Sequence, residues 1–232
     1  MRALLVDDER LARAELRRLL AAHADIEIIG EAVNAADAVQ QIVALQPELV
    51  FLDVQMPGGN GFDVLAALDC APHVIFTTAY DQYAMQAFEV NALDYLQKPI
   101  QATRLAAALG RLGLRQTGAS AAARKMFIKD GERCWFVELD QIRLCESEGN
   151  YSRVFFHNEQ ALVAHSLNRL EDRLSLAPQQ FFRTSRKHIV NLNFVQRITS
   201  NANGGLELLL PGQLTVEVSR RRATQFRQLS DW

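Results

Sequence analysis

Short apolar runs, several of them β-branched, recur through the first hundred positions, and a stretch with helical spacing follows each one. The runs are Ala3–Val6, Ile26–Gly30, Leu49–Leu52, His73–Phe76 and Asp94–Leu96. Between them, Leu11, Leu16, Leu19 and Leu20 fall near one helical face. So do Ala38, Ile42 and Leu45, with Pro47 as the stop. Ala84, Ala87 and Phe88 mark a further helix, and Leu105, Ala108, Leu109 and Leu112 the last. Strands alternating with helices predict a doubly wound, five-stranded parallel sheet. Right-handed crossovers then gather the carboxyl ends of the strands on one rim.

The pattern changes after Leu114. Residues 116–125, from Gln116 to Lys125, are small, polar and without period. They predict a linker, with an Ala-rich helical extension as the competing expectation. Residues 126–232 contain mostly short strands, expected at Met126–Lys129, Cys134–Glu138, Ile142–Glu146, Tyr151–His157, Gln160–His165, His188–Asn191, Arg197–Thr199, Leu206–Leu210 and Leu214–Val218. Turn signals such as Asp130-Gly131, Glu148-Gly149-Asn150 and Pro211-Gly212 separate them. One helix is expected over Ser166–Leu176 with Ser166 as its N-cap, and a short one after Ser219.

Charge divides the chain in the same place. Residues 1–115 carry 9 basic and 15 acidic side chains, and residues 126–232 carry 14 and 12. An acidic front half and a mildly basic back half fit a cation-binding module joined to one that meets a polyanion. No apolar run reaches the roughly 18–20 residues of a membrane span. The start lacks a secretory signal, so a cytoplasmic protein without membrane partners is expected. Cys70, Cys134 and Cys145 have neither disulfide nor zinc spacing and are expected to be reduced thiols.

Candidate chemistry sits at the predicted strand ends: Asp7 and Asp8, Asp53, Thr78, and Lys98. Ligands of open parallel sheets bind outside the carboxyl ends of the strands, so these residues should meet in one crevice. The text Val6-Asp7-Asp8-Glu9, Leu52-Asp53-x-x-Met56-Pro57-x-x-x-Gly61, Thr78-Ala79 and Asp94-Tyr95-x-x-Lys98-Pro99 resembles the receiver domain of bacterial two-component response regulators. The resemblance covers residues 1–115 and implies a flavodoxin-like fold. It implies Asp53 as the phosphoacceptor, a nucleophile toward a phosphohistidine. Asp7, Asp8, Asp53 and the carbonyl of Gln55 would hold Mg²⁺. Lys98 and Thr78 would meet the phosphoryl oxygens, and a cis Lys98–Pro99 bond would aim the lysine. Tyr95 would be a switch aromatic, with a permanently half-buried strand tyrosine as its alternative. The responding face would comprise the fourth helix, fifth strand and fifth helix. Arg10 stands where many relatives carry proline.

Two basic clusters stand out in the back half, Arg183-x-x-Arg186-Lys187-His188 and Arg220-Arg221-Arg222. Together with Glu146-Ser-Glu-Gly-Asn150-Tyr151, Phe181-Phe182 and Val190-Asn191, this text resembles the LytTR DNA-binding domain. The resemblance implies a mostly-β domain that reads duplex DNA from loops. Base contacts would come from Arg153 (with Ser152 or Tyr151 as alternatives), Asn191 and Arg220. Arg186, Lys187, Arg221 and Arg222 would hold phosphates.

The sequence thus predicts a phosphorylation-controlled transcription regulator, not an enzyme in the metabolic sense. Its expected partners are a sensor histidine kinase, a second copy of itself when phosphorylated, and paired sites on double-stranded DNA. Two alternatives stand beside it. One is a phosphorylation-controlled protein- or RNA-binding module. The other is an aspartyl-phosphate phosphatase, which would want aspartate where Gln55 stands.

Overall fold

The computed structural model describes residues 1–79, 94–116, 125–175, 180–201 and 204–229, with side chains omitted at 112–116 and 229. The chain divides into two compact units, Met1–Phe136 and Val137–Trp232.

In the first unit the expected alternation forms. The elements are β1 (Arg2–Val6), α1 (Arg10–Leu20), β2 (Glu27–Ala32), α2 (Ala35–Leu45), β3 (Leu49–Asp53), the small hairpin β4 (Gln55–Met56) and β5 (Gly59–Asn60), α3 (Gly61–Ala67), β6 (His73–Thr78), β7 (Asp94–Gln97) and α4 (Ala102–Gln116). The sheet order is β2-β1-β3-β6-β7, all parallel. Every residue of β3 is buried, as a central strand covered by helices on both faces requires. Local signals fix the helix ends. The Asn34 side chain accepts from the Asp37 amide at the start of α2. Asn60 and Asp63 form a reciprocal capping box on α3. Gln46 turns left-handed (φ 47°) just before Pro47 and ends α2. The helix expected around Ala84–Phe88 and the linker stretch 117–124 lie outside the described residues.

Helix α1 departs from expectation. Leu11 is 76% exposed, whereas Arg13, Leu16 and Leu20 face inward. Leu16 and Leu20 pack with Ala3, Leu5, Phe51, Ile75 and Leu105 on one side of the sheet. On the other side, Phe62 of α3 lies 4.8 Å from Phe76 and 6.4 Å from Phe127. Phe127 belongs to the hairpin β8 (Lys125–Asp130) and β9 (Arg133–Glu138), which follows the expected linker. It is buried in the same cluster as Leu4, Val6, Leu52 and Phe76, and Cys134 joins it there. Lys129 pairs with Asp63, and the Ala71 amide donates to the Lys125 carbonyl. This hairpin therefore completes the core of the first unit.

The second unit is mostly β. Its larger sheet comprises β10 (Ile142–Glu148), β11 (Tyr151–Phe156), β12 (Glu159–Val163), β13 (Phe181–Arg183) and β14 (His188–Asn191), in the antiparallel order β12-β11-β10-β14-β13. The smaller is β15 (Arg197–Ser200), β16 (Leu206–Leu210) and β17 (Leu214–Val218). Helix α5 (Leu167–Leu174) begins at Ser166, whose side chain accepts from the Arg169 amide, as expected. Helix α6 (Arg220–Leu229) closes the described chain. Its Ala223 and Phe226 pack with Leu144, Phe182, Val190, Leu208 and Val216, and the Phe182 and Phe226 rings meet edge-on at 5.2 Å. Strand β13 was not expected: three residues are too few for a period to show. Among the described residues no helix is long and apolar enough to cross a membrane.

Candidate functional site

The strand-end residues of the first unit converge at the rim where β1 and β3 sit side by side. The Lys98 ammonium donates to Asp7 Oδ2 at 2.7 Å and to Asp53 Oδ2 at 2.8 Å. Carboxylate oxygens of Asp7, Asp8 and Asp53 all lie within 4.8 Å of one another. Asp7 and Asp53 are 6% and 5% exposed, and Asp8 faces solvent. The Gln55 amide donates to Asp53 Oδ1 at 3.3 Å, and the Glu9 amide to Asp7 Oδ1 at 2.9 Å. Thr78 is fully buried at the end of β6. Tyr95 is buried too, within the cluster that holds Val6 and Phe76. The Lys98–Pro99 peptide bond is cis, as the receiver resemblance implies. Gly61 is required by close approach, since a Cβ there would lie 2.5 Å from the Asp53 carbonyl oxygen.

Electrostatically the crevice is short of positive charge. Burial pushes the Asp53 carboxyl above its ordinary value; Lys98 pulls the other way and Asp7 adds to the rise. For Lys98, burial acts downward, but its hydrogen bonds to Asp53 and Asp7 outweigh it and hold the ammonium above the usual lysine value. One ammonium serves two buried carboxylates, with a third beside them. Three hard oxygen donors open to solvent on one side suit a small divalent cation that retains waters. A cleft of about 360 Å³ adjoins the acids, lined by Leu5, Asp7, Arg13, Leu16, Thr77 and Pro99 among others.

Sequence reasoning missed a second layer. Arg13, 9% exposed, donates from Nη1 to the Asp7 carbonyl at 2.7 Å and the Asp8 carbonyl at 3.3 Å. Its Nε donates to Glu31 Oε2 at 2.9 Å, and Arg17 takes the other oxygen of Glu31 at 2.6 Å. The available signal was an arginine in phase with Leu16 and Leu20.

In the second unit, the three segments that carried the LytTR resemblance meet through backbone hydrogen bonds. The Ser147 amide donates to the Lys187 carbonyl at 2.7 Å, and the Ser219 amide to the Thr184 carbonyl at 3.1 Å. The two basic clusters are thereby joined at one edge, with Arg186, Lys187, Arg220 and Arg221 exposed. Arg222 is half-buried and donates to Gln225 at 3.0 Å. Arg183 shapes the loop that carries Arg186 and Lys187: it donates to the Ser185 carbonyl at 2.7 Å, the Arg186 carbonyl at 3.2 Å and Glu171 at 2.8 Å.

Two expected base-reading positions look different in the fold. Asn191 is fully buried. Its amide donates to the Ile142 carbonyl at 2.9 Å and the Asp140 carbonyl at 3.5 Å, and its oxygen accepts from the Asn193 amide at 3.0 Å. In this structure both edges of the Asn191 amide are engaged by backbone groups, which gives it a structural role. Arg153 is tied to Glu148 Oε2 by two hydrogen bonds, at 2.9 and 2.7 Å. Ser152 is buried, with its hydroxyl donating to the His165 carbonyl at 2.9 Å, whereas Tyr151 is 49% exposed.

Comparison with known proteins agrees with both halves. Residues 3–110 match the response regulator receiver domain, and residues 132–231 the LytTr DNA-binding domain. An uncharacterized response regulatory protein of Vibrio cholerae is 37% identical, covering 98% of this chain and 97% of its own. The transcriptional regulatory protein BtsR of Escherichia coli is 36% identical, with 95% of each chain covered. The solved response regulatory domain of protein mrkE from Klebsiella pneumoniae aligns with a TM-score of 0.47 at 30% identity, over 51% of this chain and all of that one. The two domain matches and the full-length relatives do not favour the phosphatase or the protein- or RNA-binding alternative. With a receiver crevice in one unit, a basic face in the other, and relatives matching end to end, the chain belongs to the LytTR family of transcriptional response regulators.

Proposed function

We propose that Asp53 accepts a phosphoryl group from the phosphohistidine of a sensor histidine kinase, and that this controls dimerisation and binding to paired DNA sites. The observation that carries the proposal is Lys98 bridging Asp7 and Asp53, with Asp8 beside them. An Asp53 carboxylate oxygen attacks phosphorus, the P–N bond breaks, and the imidazole leaves with its electron pair. Asp7, Asp8, Asp53 and the Gln55 carbonyl would hold Mg²⁺. When bound, it supplies positive charge against the phosphoryl oxygens. Lys98 exchanges Asp53 for a phosphoryl oxygen, and the Thr78 hydroxyl donates to another. Tyr95 follows Thr78 inward and biases the face that pairs with a second copy.

On the output side, Arg186, Lys187 and Arg221 contact phosphates and Arg220 reads a base, with Arg153 or Tyr151 at the first loop. Helix α6 supports this. Its first turn holds Arg220, Arg221 and Arg222 and no acid, so like charge crowds the positive helix end. A phosphate backbone would relieve that repulsion. Two linked output domains on paired sites add avidity to modest contacts.

Two measurements test the scheme. Incubation with acetyl phosphate and Mg²⁺ should place a hydroxylamine-labile phosphoryl group on the peptide containing Asp53; labelling elsewhere would overturn the acceptor. Selection of duplexes from a random pool, with and without that treatment, should enrich a repeated motif more strongly with it. A pool that stays random would refute sequence-specific binding.

A further inference from the structure

We propose that Arg13 is the positioning residue of the acidic loop: it fixes the backbone of Asp7 and Asp8 so that their carboxylates are preset for Mg²⁺. The inference rests on the Mg²⁺ reading above and adds a residue outside the ligand set.

Arg13 occupies an inward position of α1, in phase with the core residues Leu16 and Leu20. A buried guanidinium persists only when its charge and its donors are satisfied. Here Glu31 answers the charge, and the donors go to the Asp7 and Asp8 carbonyls. Those two carbonyls lie beyond the end of β1. The last bond at that edge is the Asp7 amide donating to the Ala32 carbonyl at 3.1 Å. Past that point, Arg13 organises the loop.

An aspartate side chain is short. Once its peptide planes are set, two torsions decide where the carboxylate points. Mg²⁺ tolerates little departure from octahedral geometry, so ligands that wander pay an ordering cost on binding. A group that holds ligands from behind therefore acts on metal affinity without touching the metal. The charge arrangement fits this role. Lys98 aims its ammonium at the carboxylates, where it competes with a cation. Arg13 aims at backbone oxygens and keeps its charge paired with Glu31, itself held by Arg17 and Arg13 below the ordinary glutamate range. It stiffens the loop without a compensating loss of negative potential.

The test is Mg²⁺ titration of the full chain by calorimetry, alongside melting in EDTA, for the parent, Arg13→Ala, Arg13→Lys and Arg17→Ala. Arg13→Ala should weaken Mg²⁺ binding by about tenfold or more, the usual range for loss of a group behind the ligands. Arg13→Lys, which can reach one carbonyl but not also Glu31, should fall between Ala and the parent. Arg17→Ala should match the parent. Labelling of Asp53 by acetyl phosphate gives a second readout. Arg13→Lys should need more Mg²⁺ for half-maximal rate yet reach nearly the parent rate at saturation. If Arg13→Ala does not fold, the Arg13→Lys titration decides alone. Mg²⁺ affinity within twofold of the parent in the folded variants, or a lower maximal rate with unchanged Mg²⁺ requirement, would refute the role and leave the metal reading intact. A parent that binds no Mg²⁺ would remove both.

Discussion

The two units solve opposite problems with related parts. The receiver crevice is built from buried strand ends: Asp7, Asp53 and Thr78 are nearly inaccessible, and central strands hold their backbones. The basic face of the second unit is built from exposed loop and helix-end residues, held by backbone hydrogen bonds from Ser147 and Ser219. Covalent chemistry at one carboxylate needs fixed neighbours and little water. Recognition of a polyanion needs cations that reach outward, and its strength comes from counterions released. In both places one arginine ties together the carbonyls of the working loop and anchors itself on a glutamate from a separate element. Arg13 does so with Glu31, and Arg183 with Glu171 on α5. The two arginines never need to touch what the loops bind.

This contrast can be broken at several points. The largest effect is expected for Asp53→Asn: phosphodonor labelling should vanish while binding to non-specific duplex persists. Residual labelling would mean that the crevice has a second acceptor. Next is Arg220→Ala, which should cost roughly 1–3 kcal/mol at a selected site and relax the choice of one base. An unchanged base profile would make Arg220 a phosphate contact. Arg186→Ala should weaken all sequences alike and lower the slope of log affinity against log salt by about 0.9. Arg183→Ala sharpens the comparison. If it shapes the loop that carries both Arg186 and Lys187, the slope should fall by more than Arg186→Ala alone produces. A slope equal to the parent's would sink that idea.

The smallest effect concerns Glu31. Its folded carboxyl is held low by Arg17 and Arg13, so the stability it contributes is present above the ordinary carboxylate value and disappears as pH falls through the folded value. About a third of the Glu31 side chain is exposed but its partner Arg13 is nearly buried, so Glu31→Gln should cost on the order of 1 kcal/mol at neutral pH and flatten the acid limb of a urea-melt series. An acid limb as steep as the parent's would rule out that contribution.

Much of the receiver was legible because the parallel-sheet rule converts a pattern along the chain into a place in space. Four residues at four strand ends had to share a rim. The second unit obeys no such rule, and its legibility came from recurring text at three separated segments. What stayed hidden has physical causes. Leu11 and Arg13 differ by two positions, which swaps opposite sides of a helix, and hydrophobicity alone favours the leucine inside. The Asp7 and Asp8 carbonyls and the pairing with Glu31, none of them visible in a sequence, reverse that preference. Asn191 offers the same donor and acceptor to a base or to a backbone, and burial alone decides between them. Phe127 looks like any strand phenylalanine until Phe62 is found beneath it.

The placement of that hairpin bears on how such proteins are taken apart and recombined. An exchange of output domains that joins this receiver to another partner just after residue 116 would strip Phe127 and Cys134 from a core they help close, and would uncover Phe62. A seam for a chimera that leaves this core closed lies beyond Glu138, the end of β9. A graft made there keeps both strands of the hairpin with the first unit, although residues 132–138 also fall within the LytTr match.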